Sequence, residues 1–128
     1  MATEALSDSV KQFLGRYIHS LEQLELLLLL RGQPDRLWTV TQVYEVIRSS
    51  QASLRKGLEC FTNEGFFCAE KGTLPAFRYS PQNEELREAV EQIAASYRLS
   101  RVRVIEAIFA PQIDPVQKFA DAFKLRSD

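Results

Sequence analysis

Residues 54–67 read Leu54-Arg55-Lys56-Gly57-Leu58-Glu59-Cys60-Phe61-Thr62-Asn63-Glu64-Gly65-Phe66-Phe67. Apolar residues at 54, 58 and 61 step by four and three, so they share one face of a helix. Gly65 falls where a helix ends on a residue able to adopt positive φ. The chain then enters a short aromatic run and reverses across Lys71-Gly72-Thr73-Leu74-Pro75. It returns as Ala76-Phe77-Arg78-Tyr79. Phe77 and Tyr79 alternate with Arg78, as do Phe67 and Ala69 with Phe66 and Cys68, which is strand patterning. The order is therefore helix, glycine stop, strand, turn, strand.

Upstream, Thr39-x-x-Gln42 is a capping-box pattern that opens a helix in which Val43, Val46 and Ile47 face inward. Arg48-Ser49-Ser50-Gln51 is a turn, and Ser50 is a good N-cap for the helix that follows. Leu37-Trp38 can form a very short first strand, with Trp38 a large apolar anchor. A helix-turn-helix running into a β-hairpin is a winged helix, mainly α with a small β component. Further back, Val10, Phe13, Leu14, Tyr17 and Ile18 give Ser9 to Tyr17 the pattern of an amphipathic helix able to pack on a partner subunit. Ser20-x-x-Gln23 restarts a helix that is apolar nearly all round from Leu21 to Leu30, the mark of a helix covered on more than one side. His19, next to that cap, reads as a solvated or capping residue.

Downstream, Ser80-Pro81 with Glu84 and Glu85 reads as a helix start: N-cap, proline at the first position, acids in the first turn. Leu86, Val90, Ile93 and Tyr97 form one seam; Val104, Ile105, Ile108 and Phe109 form a second stripe. A continuous helix from 81 to 109 would span about 40 Å, more than so small a core covers, so a homodimer is expected through these eight residues. Two shorter helices broken near Leu99-Ser100 and folded back in one subunit are the competing reading. Arg98, Arg101 and Arg103 read as the solvated side of this segment. Val116, Phe119, Ala120 and Phe123 pattern as a last amphipathic stretch, to be buried on its own domain, its twin or another protein. Residues 1–80 thus form the winged-helix domain and 81–128 a helical dimerisation segment of the same folding unit.

At 128 residues the chain has room for a sizeable core without disulfide or metal staples. Sixteen Lys plus Arg against seventeen Asp plus Glu exclude a globally basic nucleic-acid binder and leave a local patch as the footprint. Cys60 and Cys68 lack Cys-x-x-Cys spacing, and His19 is the sole histidine, so no metal set is expected. Reduced thiols in a cytoplasmic protein are the plain reading, with redox sensing a minor one. The N-terminus has no signal-peptide pattern. The Leu26–Leu30 run is far short of the roughly 20 residues a membrane span needs. An enzyme is not expected: there is no nucleophile–base pair or phosphate loop, and Glu84, Glu85, Glu88 and Glu91 read as a helix start and solvated face. No cofactor is implied.

With Leu54, Leu58 and Phe61 inward, the helical step turns Ala52, Lys56, Glu59 and Asn63 outward and leaves Gln51, Ser53 and Arg55 near the N-terminal end or flank. Residues at the start of a second helix-turn-helix helix meet base edges in the major groove. Arg and Lys suit guanine, Gln adenine, and Ser bases or phosphate. The candidate DNA-binding set is therefore Ser50, Gln51, Ser53, Arg55 and Lys56, with Lys71 and Arg78 on the hairpin. Glu59 is unfavourable there because it repels phosphate. From Arg48 to Tyr79, Arg48, Arg55, Lys56, Lys71 and Arg78 outnumber Glu59, Glu64 and Glu70 by two. That small excess suits a modest, salt-sensitive affinity.

Trp38-Thr39-Val40-Thr41-Gln42-Val43, the 54–67 stretch and the hairpin through Tyr79 together resemble bacterial winged-helix transcriptional regulators, broadly the MarR and PadR groups. The resemblance implies a dimer that places two recognition helices, residues 50–63, in successive major grooves of double-stranded DNA, with the wings 66–79 near the backbone. It departs from the MarR pattern at the wing tip, where Gly72-Thr73-Leu74-Pro75 stands in place of Asp-x-Arg. The alternative is a winged helix that binds another protein and not DNA, favoured by near-neutral charge, Glu59 and the aromatic tail.

Overall fold

Four short polar residues fix where the first helices begin. Ser7, Ser20, Thr39 and Ser50 accept hydrogen bonds from the backbone N–H of Val10, Gln23, Gln42 and Ser53. Each satisfies a donor that the first turn of a helix leaves unpaired. The helices so capped are α1 (Asp8–Tyr17), α2 (Leu21–Gly32), α3 (Val40–Val46) and α4 (Gln51–Asn63) in a computed structural model that describes residues 6–109. Thr39 and Gln42 complete both halves of a capping box. At Ser20 only one half forms, because Gln23 Oε1 accepts from the His19 backbone N–H at 2.6 Å instead.

α4 ends in a Schellman motif. The Phe66 N–H donates to Phe61 O, the Gly65 N–H donates to Thr62 O, and Gly65 has φ of 97°. The accompanying apolar contact is the edge-to-face pair Phe61–Phe66, with ring centroids 5.7 Å apart. A Cβ at Gly65 would also collide with Gln82, so backbone and space both select glycine. The chain then forms β2 (Phe67–Glu70) and β3 (Ala76–Tyr79). β1 (Trp38–Thr39), between α2 and α3, completes an antiparallel sheet of order β1-β3-β2. Trp38 pairs with Phe77, and Phe67 with Tyr79. The first strand lies one residue later than Leu37-Trp38; Leu37 is exposed and Trp38 buried.

Ser80 is not an N-cap. Its N–H donates to Phe66 O and that of Gln82 donates to Gly65 O, so residues 80–82 continue along the α4–β2 corner. The helix starts three residues on, where Asn83 accepts from the Leu86 N–H at 2.9 Å. The segment to 109 is two helices, α5 (Glu84–Leu99) and α6 (Arg101–Phe109), with Ser100 at φ −141°, ψ 61° between them. α6 folds back to pack on both α1 and α5.

The core is one cluster to which every helix and strand contributes. Phe13, Tyr17, Phe61, Phe66 and Phe67 stack in tilted and edge-to-face pairs at 5.0–5.7 Å, joining α1, α4 and β2. Each such pair contributes about 1 kcal/mol beyond burial. Two further expectations are corrected. Val10, Phe13, Leu14 and Ile18 are buried in this core, so the apolar face of α1 is covered within its own subunit. On α3 the inward face runs through Val40, Val43, Tyr44 and Ile47; Val46 lies about 100° off it and is exposed. The aromatic stretch 116–123 lies outside the described residues.

Candidate nucleic-acid interface

α3, the 47–50 turn and α4 form the helix-turn-helix, and α2 holds α4 at two points one turn apart. The Ser53 hydroxyl donates to Glu22 Oε1 at 2.6 Å, and the Ser49 hydroxyl donates to Glu22 Oε2. Four residues along each helix, the backbone of Gly57 passes so close to Leu26 that an added Cβ would sit 2.9 Å from Leu26 Cδ2. Seated this way, α4 buries Leu54, Gly57, Leu58 and Phe61. Its other face exposes Gln51, Ala52, Arg55, Lys56, Glu59 and Asn63.

The five candidate residues of this helix thus lie together at its exposed N-terminal half, with unequal roles. Ser50 uses its side chain as the N-cap, and the Ser53 hydroxyl is committed to Glu22. Gln51, Arg55 and Lys56 are the remaining exposed members of the set. On the hairpin Lys71 is exposed, whereas Arg78 is half-buried opposite Cys68 and its Nε has no hydrogen-bond partner. Two cations left out of the sequence-derived set flank the same unit. The Arg48 guanidinium lies 5.7 Å from the Tyr44 ring, and that of Arg36 lies 3.7 Å from the Trp38 ring. Arg48 lies just past the end of α3, in the turn, so no helix-face spacing from Tyr44 signalled the first. Exposed Glu45 and Glu59 oppose this positive character.

The expected dimer residues divide. Val90, Ile93, Val104 and Ile108 are buried in the subunit's own core. The break at Ser100 lets α6 fold back so that α5 and α6 both pack on α1. Leu86, Tyr97 and Ile105 are half-buried. Phe109 is 54% exposed, and Leu99 and Val102, which the seam pattern omits, are 82% and 66% exposed.

Arg31 grips Glu91 with two parallel hydrogen bonds, Nε to Oε2 at 2.8 Å and Nη2 to Oε1 at 2.6 Å, tying α2 to α5. These bonds hold the Glu91 carboxyl below the usual carboxylate range. Burial pushes Glu64, the C-cap of α4, in the opposite direction. Partial desolvation, followed by the neighbouring Glu64, also raises the thiol of Cys60, whose side chain is nonetheless exposed. A groove of about 750 Å³ between α1 and α5 is lined by Glu64, Glu84, Glu85 and Glu88 against Arg16, a lining unsuited to nucleic acid. Among the described residues no cluster of His, Cys, Asp and Glu could hold a metal, and no helix is long and apolar enough to cross a membrane.

Helix order, sheet order and the glycine-stopped second helix define a winged-helix fold of the kind found in transcriptional regulators. The adhesin competence repressor AdcR of Streptococcus pyogenes has this fold, at a TM-score of 0.53 and 17% identity over 87% of this chain and 82% of its own. So does BpsR of Bordetella bronchiseptica, whose DNA binding is regulated by 6-hydroxynicotinic acid, at 0.53 and 16% identity over 92% and 83%. No protein-family model and no curated protein matches the sequence. The likeness to MarR-type regulators therefore stands as one of fold.

Proposed function

We propose that the protein is a bacterial, cytoplasmic, dimeric transcriptional regulator that binds double-stranded DNA through α4. The observation that carries this is the N-terminal half of α4, clamped to α2 by Glu22 and Leu26 and presenting Gln51, Arg55 and Lys56 outward. The shared fold with a repressor and with a regulated DNA-binding protein supports it. In this reading Arg55 and Lys56 reach guanine acceptors or phosphate and Gln51 reaches adenine. Lys71, Arg78, Arg36 and Arg48 hold the flanking backbone, and Ser50 and Ser53 act by holding the helix. Dimerisation uses the exposed apolar residues Leu99, Val102 and Phe109 with half-buried Leu86, Tyr97 and Ile105.

The rival is a winged helix whose same face binds a protein; exposed Glu45 and Glu59 and a net charge of −1 favour it. Titration with mixed-sequence duplex DNA at low and moderate salt separates the two. A DNA binder loses affinity steeply as salt rises, whereas no binding at low salt eliminates the DNA reading. Light scattering on the same sample tests the dimer.

A further inference from the structure

α5 carries its charge in two opposed blocks. Glu84, Glu85, Glu88 and Glu91 stand on its first half, whereas Arg98 stands in its last turn and Arg101 opens α6. Between Glu91 and Glu106 the chain has no acid. Some of these charges are already paired. Glu91 is held by Arg31, Glu84 lies 3.6 Å from Arg87, and in the groove between α1 and α5 Arg16 acts on Glu64. Glu85 and Glu88, which line that groove, are exposed and form no ion pair among the described residues. The same holds for Arg98 and Arg101 at the other end, where the Arg101 guanidinium lies 5.3 Å from the Tyr97 ring. These two arginines flank Leu99, which at 82% is the most exposed large apolar residue described.

We infer that a second copy of this chain seats its arginine corner in the acidic groove, so that Arg98 and Arg101 of each subunit meet Glu88 and Glu85 of the other. This rests on the dimer reading and names the contacts that orient it. Ile93 lies midway between residues 88 and 98 and also between 85 and 101. A single two-fold axis level with Ile93, across antiparallel α5 helices, therefore satisfies both pairs at once. Ten residues of chain separate Glu88 from Arg98, about 15 Å along the helix, so the blocks stay apart within a subunit and meet only across the axis. At the axis the outer surface is Gln92, Ala95 and Ser96, which is uncharged and, at Ala95 and Ser96, small. The same arrangement carries Leu99 to the groove end where Leu86 and Ala89 are half-buried, which removes apolar surface from water. A parallel arrangement sets acid against acid and arginine against arginine. Exposed ion pairs are individually weak, but the symmetry makes four of them, and like-charge repulsion disfavours the other orientations.

The test is charge-swap complementation in the full chain, with dimerisation followed by light scattering and sedimentation over a range of concentrations. Arg98→Glu/Arg101→Glu leaves acid facing acid at both ends of the dimer, and Glu85→Arg/Glu88→Arg leaves arginine facing arginine. All four residues are exposed, and circular dichroism checks that each variant keeps the fold. Expected is a dimer dissociation constant raised about a hundredfold in either variant alone, as four attractions become repulsions. Mixing the two variants in equal amounts should restore a heterodimer of near wild-type affinity, since each end again sets acid against arginine. Either variant dimerising like wild type, or a mixture that dimerises no better than its components, overturns the pairing and leaves the dimer to other surfaces. Wild type that stays monomeric across the range overturns the dimer reading together with this inference.

Discussion

The Ser53 hydroxyl donates to the Glu22 carboxylate at 2.6 Å, and one turn further along both helices Gly57 lies against Leu26. The matched spacing of four, 22 to 26 on α2 and 53 to 57 on α4, brings one stripe of each helix into contact. A side chain larger than hydrogen at 57 would force the buried Leu26 side chain, or the helix itself, to shift. The exposed face of α4 is thus set by residues on its hidden side.

Gly57→Val should destabilise the protein by about 1–3 kcal/mol, because the added methyls have only the packed Leu26 to displace. Leu26→Ala should cost less in the Gly57→Val background than in wild type, because it removes the methyl that the valine meets. Urea unfolding of the four-member cycle measures the coupling; strict additivity would show that the two residues do not meet.

Glu22→Ala removes the acceptor of two serine hydroxyls at the start of α4. All three groups are partly solvated, so the expected loss is no more than about 1 kcal/mol. Glu22→Gln retains one acceptor and should lose less. Amide hydrogen exchange at residues 49–55 should quicken in Glu22→Ala, whereas exchange at wild-type rates would mean the bonds do not hold the helix start.

Gly65→Ala forces a Cβ into the left-handed region and against Gln82. A loss of about 1–2 kcal/mol in thermal unfolding is expected from the backbone alone. Pairing it with Gln82→Ala should relieve only the steric part. Full recovery in the double variant would contradict the positive φ.

Acid should act on Glu91 and Glu64 with opposite signs. Glu91 is held low by Arg31, so its contribution is complete above the ordinary glutamate range and is lost as pH falls through the lowered folded value. Glu64 is raised by burial, so its penalty is present above that raised value and is relieved on acidification. Glu91→Gln should flatten the fall in stability towards low pH, and Glu64→Gln should steepen it. The Glu91 side chain is 51% exposed, so solvent screening keeps its effect small. Urea midpoints from neutral to mildly acidic pH read both slopes.

Local rules made much of this molecule legible in its residues. Thr39-x-x-Gln42, Ser50, the 54–58–61 stripe and Gly65 each dictate structure within a few positions, and the helix-turn-helix, its glycine stop and the hairpin follow from them. Where distant backbone competes, local signals mislead. Ser80-Pro81 looks like a helix start, but its N–H is taken by Phe66. The stripes at 86–97 and 104–109 fit one long dimer helix or two folded ones equally well, and a single residue, Ser100, decides between them. The engagement of Ser53 by Glu22 joins residues 31 apart in the chain, which no periodicity shows.

The central claim is that the exposed face of α4 meets DNA, and the double variant Arg55→Ala/Lys56→Ala tests it most directly. Binding to mixed-sequence duplex should be measured against salt for variant and wild type, with circular dichroism confirming the fold. Expected is weaker binding at low salt and a salt slope shallower by about one for each phosphate that the variant no longer neutralises. An affinity and slope equal to those of wild type would remove α4 from the interface and contradict the assignment.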